Sequence, residues 1–293
     1  MKGYNRLGDR TVSAISYSVL TIFAAICTFP FIYVIAYSVT PYNDYLAHPM
    51  RLIPASLDFG AYLSVFKLNL IYSGYGVTLF ITVVGTLINV LLLVISAYPL
   101  SKKDLKGRNM ILSLIVFTMF FSGGMIPSYY VVKSLGMINS VWSLIVPNAI
   151  SAFNLILMKT FIEAIPVSLE ESAIIDGANE ITVLFKIIVP LSVPAIATFT
   201  VFNAVIHWNE YFNAILYITR RRMWPLMLVL RELVIEQELD SSFASTFTAM
   251  ERRANPFTIK MAAIVITTLP IIVIYPFMQK YFMKGIMIGS IKG

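Results

Sequence analysis

Long uncharged stretches alternate with short charged ones along this chain of 293 residues. Six stretches longer than eighteen residues hold no Asp, Glu, Lys or Arg: 11–43, 68–101, 109–132, 134–158, 187–209 and 261–279. A helix needs roughly 20 apolar residues to cross the hydrocarbon core of a bilayer. The pattern therefore predicts an all-α integral membrane bundle of six transmembrane helices in a single domain, 1–293. The predicted spans lie at about 13–39, 71–100, 109–131, 138–160, 187–215 and 258–281.

The composition agrees with a bilayer environment. Hydrophobic residues make up 58% of the chain and charged residues only 13%, whereas soluble domains carry about 25% charged residues. The formal net charge is +7, but the basic residues lie beside apolar spans instead of on a soluble face, which argues against nucleic-acid binding. One cysteine, Cys27, and two histidines, His48 and His207, do not support a Cys/His zinc site.

Several classes of activity are disfavoured by what the sequence lacks. No Gly-Lys dipeptide occurs, so there is no phosphate-binding P-loop, and any ATP must be hydrolysed by another chain. No charged residue lies in the middle of a predicted span, which argues against a proton- or sodium-coupled carrier. No converging set of acids, histidines and a nucleophile indicates an enzyme.

The basic residues of the short loops predict the orientation. They cluster at both termini and after the second span: Lys2, Arg6, Arg10, Lys102, Lys103, Lys106, Arg108, Lys280, Lys284 and Lys292. Positive charge favours the cytoplasmic side, so both termini and the loop 163–186 are predicted to be cytoplasmic, and the loop 216–257 external. The external loop carries six arginines, against this orientation. The short loops take priority because longer loops depend less on charge.

The most polar stretch between apolar runs is 168–194, SLEESAIIDGANEITVLFKIIVPLSVP, and its pattern predicts two short helices. The local signals are a capping box at Ser168 and Glu171, a stop at Asp176-Gly177, a second cap at Asn179, and breaks at Pro190 and Pro194. Membrane-surface helices carry Lys and Arg on their polar face. This acidic segment with small side chains is therefore better suited to docking in a cleft of another protein.

Polar side chains also lie within the predicted spans. Asn89 and Asn154 are interpreted as hydrogen-bonding between helices, while Asn148 has no assigned role. A group near the outer end of the fifth span has the residue types of a sugar pathway: Asn203, His207, Trp208, Asn209, Glu210 and Tyr211. Its aromatic residues fit interfacial anchors equally well, and both interpretations remain open. The run 220–222, three arginines, fits either an acidic partner or substrate, or a solvated loop edge.

One motif carries a family resemblance. Glu171-Ser172-Ala173, followed by Gly177 and then Pro190-Leu191, resembles the EAA loop of ABC-importer permeases, with Ser172 in place of an alanine. Further segments resemble the carbohydrate branch, which includes the smaller permease subunit of the maltose importer: Ile126-Pro127, 135–139 (LGMIN) and 208–211 (WNEY). The segment 121–127 (FSGGMIP) resembles a subgroup that handles complex saccharides such as alginate. The resemblance covers nearly the whole chain.

The resemblance implies a type I ABC importer permease in the bacterial inner membrane, with a cytoplasmic coupling helix. Its implied partners are a second permease subunit, two ATPases that bind ATP and Mg²⁺, and a periplasmic or extracellular saccharide-binding protein. The chain itself would hold no cofactor or metal. The residues expected at the ATPase are Glu170, Glu171, Ser172, Ala173, Asp176, Gly177 and Ala178. The expected solute is an oligosaccharide, and an acidic oligosaccharide such as alginate is one candidate. The alternatives are a permease for a non-sugar solute and a stand-alone carrier or channel.

Overall fold

The computed structural model describes residues 6–239 and 255–290, and every regular element in these two ranges is a helix. By internal contacts the chain divides into two compact units, Met1–Leu68 with Glu232–Thr268, and Asn69–Arg231 with Leu269–Gly293. The charged termini Lys2 and Lys292, and residues 240–254 of the predicted external loop, lie outside the described residues. The all-helical prediction is confirmed for the residues that are described.

The first unit begins with a long apolar helix. Helix α1 (Arg6–Ser38) is followed by two short helices, α2 (Tyr42–Ala47) and α3 (Gly60–Phe66). The side chains of α1 from Val12 onwards are exposed over most of its length within this chain, as expected of a surface that faces lipid or another subunit. Among the side chains of α1 whose exposure is described, 12–38, those of the last turn are the buried ones.

Aromatic rings form the core of the first unit. Tyr37, at the end of α1, is fully buried and meets Tyr45 edge to face, with ring centroids 5.0 Å apart. Tyr45 in turn stacks on Phe257 at 4.3 Å. Such pairs add stability beyond the area they bury. This cluster therefore packs α2 against the end of α1 and the beginning of the last helix.

The second unit is built around α4 (Asn69–Ser101), a helix of 33 residues interrupted by a π-helical turn at Ile81–Gly85. The helices that follow are α5 (Arg108–Phe120), α6 (Met125–Ser134), α7 (Ala152–Glu163), α8 (Val167–Ile175), α9 (Glu180–Leu191), α10 (Val193–Trp208), α11 (Phe212–Tyr217), α12 (Leu226–Leu239) and α13 (Pro256–Ser290). Short 3-10 turns at Val141–Leu144 and Val146–Asn148 precede α7, and another, at Arg221–Met223, precedes α12.

An apolar core joins the second half of α4 to α7, α9 and α10. Leu93 and Ala97 of α4 are buried against Met158 of α7, Val183 of α9 and Phe199 of α10. The segment that connects α7 to α9, which contains α8, is thereby held at the end of α4. We call the predicted cytoplasmic loop 163–186 the coupling segment. This placement brings the coupling segment next to the loop that follows α4.

Three helices in the described ranges are long and apolar enough to cross a membrane: Val12–Ser38, Asn69–Ser101 and Phe257–Ile274. The other three predicted spans are each made of two helical pieces that meet at a bend. The bends are 117° between α5 and α6, 51° between the 3-10 turns at Val141–Asn148 and α7, and 79° between α9 and α10. Six spans are obtained only if each bent pair crosses once.

Local chemistry explains two of these three breaks. Between α5 and α6 the chain passes through Gly124, whose φ of +84° is accessible to glycine at little cost. Between α9 and α10 the turn at Ser192 falls between Pro190 and Pro194, neither of which can donate a backbone hydrogen bond. The prolines were recognised as span breakers from the sequence. The extent of the bend at Gly124 was not predicted.

Candidate functional site

The first helix of the coupling segment, α8, ends as the sequence predicts. Gly177 has φ +87°, its N–H bonds to the carbonyl of Ile174 at 3.0 Å, and the N–H of Ala178 bonds to the carbonyl of Ala173 at 2.9 Å. These two bonds form a Schellman motif, which requires a left-handed residue that glycine supplies without steric cost. The stop at Asp176-Gly177 is confirmed.

The start of α8 differs from the prediction. The helix begins at Val167 after Pro166, and no side chain caps it. Ser168 lies inside the first turn, where its carbonyl accepts a bond from the Ser172 hydroxyl at 2.7 Å. The predicted capping box of Ser168 and Glu171 is therefore wrong. The physical reason is that the extended Pro166 (ψ 125°) occupies the N-cap position, so the helix begins at Val167 and Ser168 already lies inside it, where its side chain cannot act as the cap.

The second helix of the segment, α9, is capped as predicted. The side-chain oxygen of Asn179 accepts bonds from the N–H and the hydroxyl of Thr182, each at 2.8 Å. The helix then widens into a π-helical turn at Leu184–Ile188 and ends at Leu191. The coupling segment is thus two helices joined by a tight turn.

The seven residues predicted to contact an ATPase do not share one face. Glu171, Ser172, Asp176 and Gly177 are exposed. The residues that turn inward are Glu170, which is buried, and Ala173 and Ala178, which pack against the apolar core of α4, α7, α9 and α10.

The exposed surface also contains an apolar residue that the sequence analysis missed, Ile175, with 85% of its surface accessible. Its position four residues after Glu171 on the same helix could have indicated it.

A groove of about 620 Å³ runs between α8, α9 and the end of α4. Its lining combines apolar and charged side chains: Tyr98, Pro99, Lys102, Asp104, Leu105, Val167, Glu170, Glu171, Ile174, Glu180, Ile181 and Leu184. Lys102 forms an ion pair with Glu170 and lies 3.9 Å from a carboxylate oxygen of Glu180. Part of the groove lining is therefore a charge network within the chain.

The residues predicted to line a pathway are divided between the interior and the surface. Asn203 accepts a hydrogen bond at 3.0 Å from the Asn89 amide, which confirms that Asn89 bonds between helices. His207 and Trp208 are buried, and Trp208 meets Tyr75 with ring centroids 6.3 Å apart. Asn209 and Tyr211 are exposed. The six residues do not form one continuous surface.

Glu210 serves a local structural purpose. Its two carboxylate oxygens accept bonds from the backbone N–H of Asn213 at 3.0 Å and from its side-chain amide at 2.8 Å. An acidic side chain that accepts from the first turn of a helix stabilises the start of that helix. Glu210 is buried and holds the beginning of α11.

A second residue missed as a functional candidate is Asn139, which organises the start of the predicted external loop. It adopts φ +57°, and its side-chain oxygen accepts from the N–H and hydroxyl of Thr219 and from the N–H of Arg220, at 2.8, 2.9 and 3.2 Å. The three arginines at 220–222 follow directly and are exposed, with Arg221 lying 5.5 Å from the Trp224 ring. Asn tolerates a left-handed backbone better than most residues, so Asn139, three residues after the left-handed Gly136, was a usable signal for a turn after α6.

The apolar helices, the bent spans and the helix–turn–helix at the end of α4 define the class: a polytopic α-helical membrane protein. In the described ranges no cluster of three His, Cys, Asp or Glu side chains has a metal-binding arrangement. No protein-family model matches the chain.

Similar proteins identify the family. The chain is 46% identical over 291 residues, 99% of each protein, to the polygalacturonan/rhamnogalacturonan transport system permease protein YtcP of Bacillus subtilis (strain 168). It is 47% identical over 270 residues to Protein LplC of the same organism, covering 92% of this chain and 90% of that one. Among solved structures, it is 33% identical to a chain of a bacterial ABC transporter involved in the import of the acidic polysaccharide alginate. That match has a TM-score of 0.88 and covers 96% of this chain and 100% of the other. The chain belongs to the permease subunits of saccharide ABC importers, which are transport components and not enzymes.

Proposed function

We propose that this chain forms one half of the membrane pathway of a binding-protein-dependent importer for acidic oligosaccharides. It crosses the membrane six times, each bent helix pair counting as one span, with both termini in the cytoplasm. It pairs with a second permease subunit and with two cytoplasmic ATPases, which bind the ATP and Mg²⁺. A saccharide-binding protein delivers the solute to the outer face.

The exposed face of α8 and its turn is the observation that carries this proposal. Glu171, Asp176 and Ile175 project from a helix whose opposite side is packed against the core through Ala173. A short helix with a rigid backing and an exposed mixed face suits insertion into a cleft of another protein. Since packed elements move as units, a displacement imposed on such a helix passes to the helices behind it.

The proposed mechanism is alternating access driven from the cytoplasm. ATP binding closes the ATPase dimer, the docked α8 is displaced, and the transmembrane helices move from an inward-facing to an outward-facing arrangement. The saccharide then enters from the binding protein, and hydrolysis resets the transporter. This coupling requires that ATP favour one conformation, because a ligand that binds both equally shifts nothing.

Two observations support an acidic solute. The relatives are named for polygalacturonan/rhamnogalacturonan and for the acidic polysaccharide alginate, and the uronic acid residues of such polymers carry carboxylates. This chain exposes three consecutive arginines, 220–222, at the start of the loop predicted to be external. Arginine pairs with carboxylates through two parallel hydrogen bonds.

The coupling assignment is tested by saccharide-stimulated ATP hydrolysis of the assembled importer in liposomes. Glu171→Lys reverses the charge on the docking face. Gly177→Pro is incompatible with φ +87° because proline fixes φ near −65°. Both variants should lose stimulation, whereas Lys103→Met, which changes an exposed lysine in a neighbouring loop, should keep it. Normal stimulation of ATP hydrolysis in both variants would show that α8 does not take part in coupling.

The solute assignment is tested separately by uptake. The complex is given a labelled galacturonate oligosaccharide and the same oligosaccharide with its carboxylates methyl-esterified. Preferential uptake of the free acid is expected. Equal uptake of both would leave the importer assignment in place and remove the acidic specificity.

A further inference from the structure

Three of the five carboxylates in the coupling segment 163–186 are bound within this chain. They are those of Glu163, Glu170 and Glu180, and each has a partner in the segment 98–108, which runs from the end of α4 to the start of α5. The two that remain, at positions 171 and 176, are exposed, and of the three bound ones Glu180 is also exposed, with 65% of its side chain accessible. Three acidic side chains therefore attach the segment to the rest of the chain, and the other two lie on its outer surface.

Lys102 is at the centre of the internal attachment. Its ammonium forms an ion pair with Glu170, lies 3.9 Å from Glu180 and sits 4.6 Å from the centroid of the Tyr98 ring. The Tyr98 hydroxyl also hydrogen-bonds to Glu180, at 2.5 Å. Because Glu170 belongs to α8 and Glu180 begins α9, a single ammonium joins both arms of the turn to the last residues of α4.

A second attachment holds the beginning of the segment. Arg108, the first residue of α5, binds Glu163 at the end of α7. Its Nε also donates to the carbonyl of Leu100 at 2.9 Å, and Lys159 holds the other carboxylate oxygen of Glu163 at 2.8 Å. The coupling segment is thus tied at its start, middle and end to one short loop.

Burial indicates that the Lys102–Glu170 pair fixes geometry. The side chains are 26% and 9% exposed, respectively. A largely buried ion pair adds little stability compared with apolar residues of the same size, but removing one partner leaves an unpaired charge that the structure must rearrange to hydrate. The pair therefore disfavours any position of α8 in which Glu170 leaves the end of α4.

We infer that Lys102 is a positioning residue which makes α8, α9 and the end of α4 move together. This inference rests on the proposed docking of α8 to an ATPase. We call the contacts of Lys102 with Glu170, Glu180 and the Tyr98 ring the clamp. Without the clamp, α8 would keep its apolar backing at Ala173 but lose its charged link to the end of α4, and part of an imposed displacement would be lost as rotation about Pro166 and Gly177. With the clamp, the displacement reaches α4 directly.

The test is the ratio of saccharide taken up to ATP hydrolysed by the assembled importer in liposomes. Lys102→Met should lower this ratio by about tenfold, the scale of typical coupling between sites, while assembly with the ATPases is retained. Lys102→Arg, which keeps the cation, should largely restore the ratio. Lys103→Met is the matched control, since that side chain is exposed and adjacent, and its ratio should equal that of the wild type.

A double-variant cycle separates the clamp from a general loss of stability. Lys102→Met and Glu170→Gln should each lower the ratio, and the double variant should be no worse than Lys102→Met alone, because the ion pair that Glu170→Gln removes is already lost in Lys102→Met. Additive losses, or a wild-type ratio in Lys102→Met, would overturn the inference. If Glu171→Lys leaves saccharide-stimulated ATP hydrolysis unchanged, the docking proposal itself fails. If Glu171→Lys abolishes that stimulation while Lys102→Met keeps the wild-type ratio of uptake to hydrolysis, the docking proposal stands and the inference about Lys102 fails.

Discussion

Gly85 is the position where a single methyl group should disturb the packing of the second unit most clearly. It is the last residue of the π-helical turn in α4 and faces the ring of His207 on α10. A Cβ atom at this position would lie 2.6 Å from Nε2, 2.8 Å from Cε1 and 3.0 Å from Cδ2 of that ring. Ordinary contacts begin at 3.4 Å, so the ring would have to retreat by about 0.8 Å (3.4 minus 2.6).

The magnitude follows from two opposing effects of Gly85→Ala. His207 is only 2% exposed, so its ring has little room to withdraw. Overpacking of this kind costs about 1–3 kcal/mol, while alanine improves helix propensity by up to about 1 kcal/mol. We expect a net destabilisation of about 1–2 kcal/mol. Small residues at helix contacts are common in membrane proteins because they allow backbones to approach closely.

Thermal unfolding of the full-length protein in detergent measures the effect, and the same helix supplies the controls. Gly76→Ala has no atom within 4 Å of the new Cβ and should be neutral or slightly stabilising. Gly74→Ala would meet the backbone of Leu226 at 3.3 Å and should be intermediate. Combining Gly85→Ala with His207→Ala should cost less than the sum of the two single changes. A variant at Gly85 as stable as the one at Gly76, or full additivity with His207→Ala, would refute the packing argument.

Two further changes test hydrogen bonds made by single side chains. Thr78→Val keeps the shape of a fully buried residue but removes the hydroxyl that accepts from the N–H of Leu226 at 2.8 Å, so unfolding should become easier by about 1–3 kcal/mol. Thr78→Ser should recover most of this loss in a thermal unfolding assay, and a neutral Thr78→Val would contradict it. Asn139→Gly keeps the left-handed backbone accessible but removes the acceptor for Thr219 and Arg220, so trypsin should cleave faster at 220–222. An unchanged cleavage rate would show that other contacts order this loop.

Local signals predicted the turn of the coupling segment correctly. A glycine after an acidic helix end and an asparagine just beyond it act within a few residues, so Gly177 and Asn179 could be assigned without knowing the tertiary structure. The wrong cap at Ser168 is also local, because the nearby Pro166 offered an earlier start. At this helix start the local pattern failed because two neighbouring residues could each serve as the N-cap.

The division of the acids between interior and surface could not be read from the sequence. Glu170 and Glu171 are adjacent and chemically alike, yet the first is buried and the second exposed. A helix turns by about 100° per residue, so neighbours point in different directions, and only the position of α4 decides which one faces inward. The partner of Glu170, Lys102, is 68 residues away in the chain. For the same reason the pathway prediction did not foresee that Asn203 would bond to Asn89, 114 residues distant.

Helix α4 connects the two polar features of the second unit. Its end carries the clamp at Lys102, and its middle carries polar side chains that face α10. Several buried side-chain atoms there have no partner among the described residues: the Thr82 and Thr86 hydroxyls, the Asn89 carbonyl oxygen and both ring nitrogens of His207. Each such group costs about 1–3 kcal/mol when it is kept from water without a partner, so these polar positions oppose the apolar packing of α4 against α10. A displacement that separates α4 from α10 would let water reach them, and Asn89 and His207 would become hydrated together.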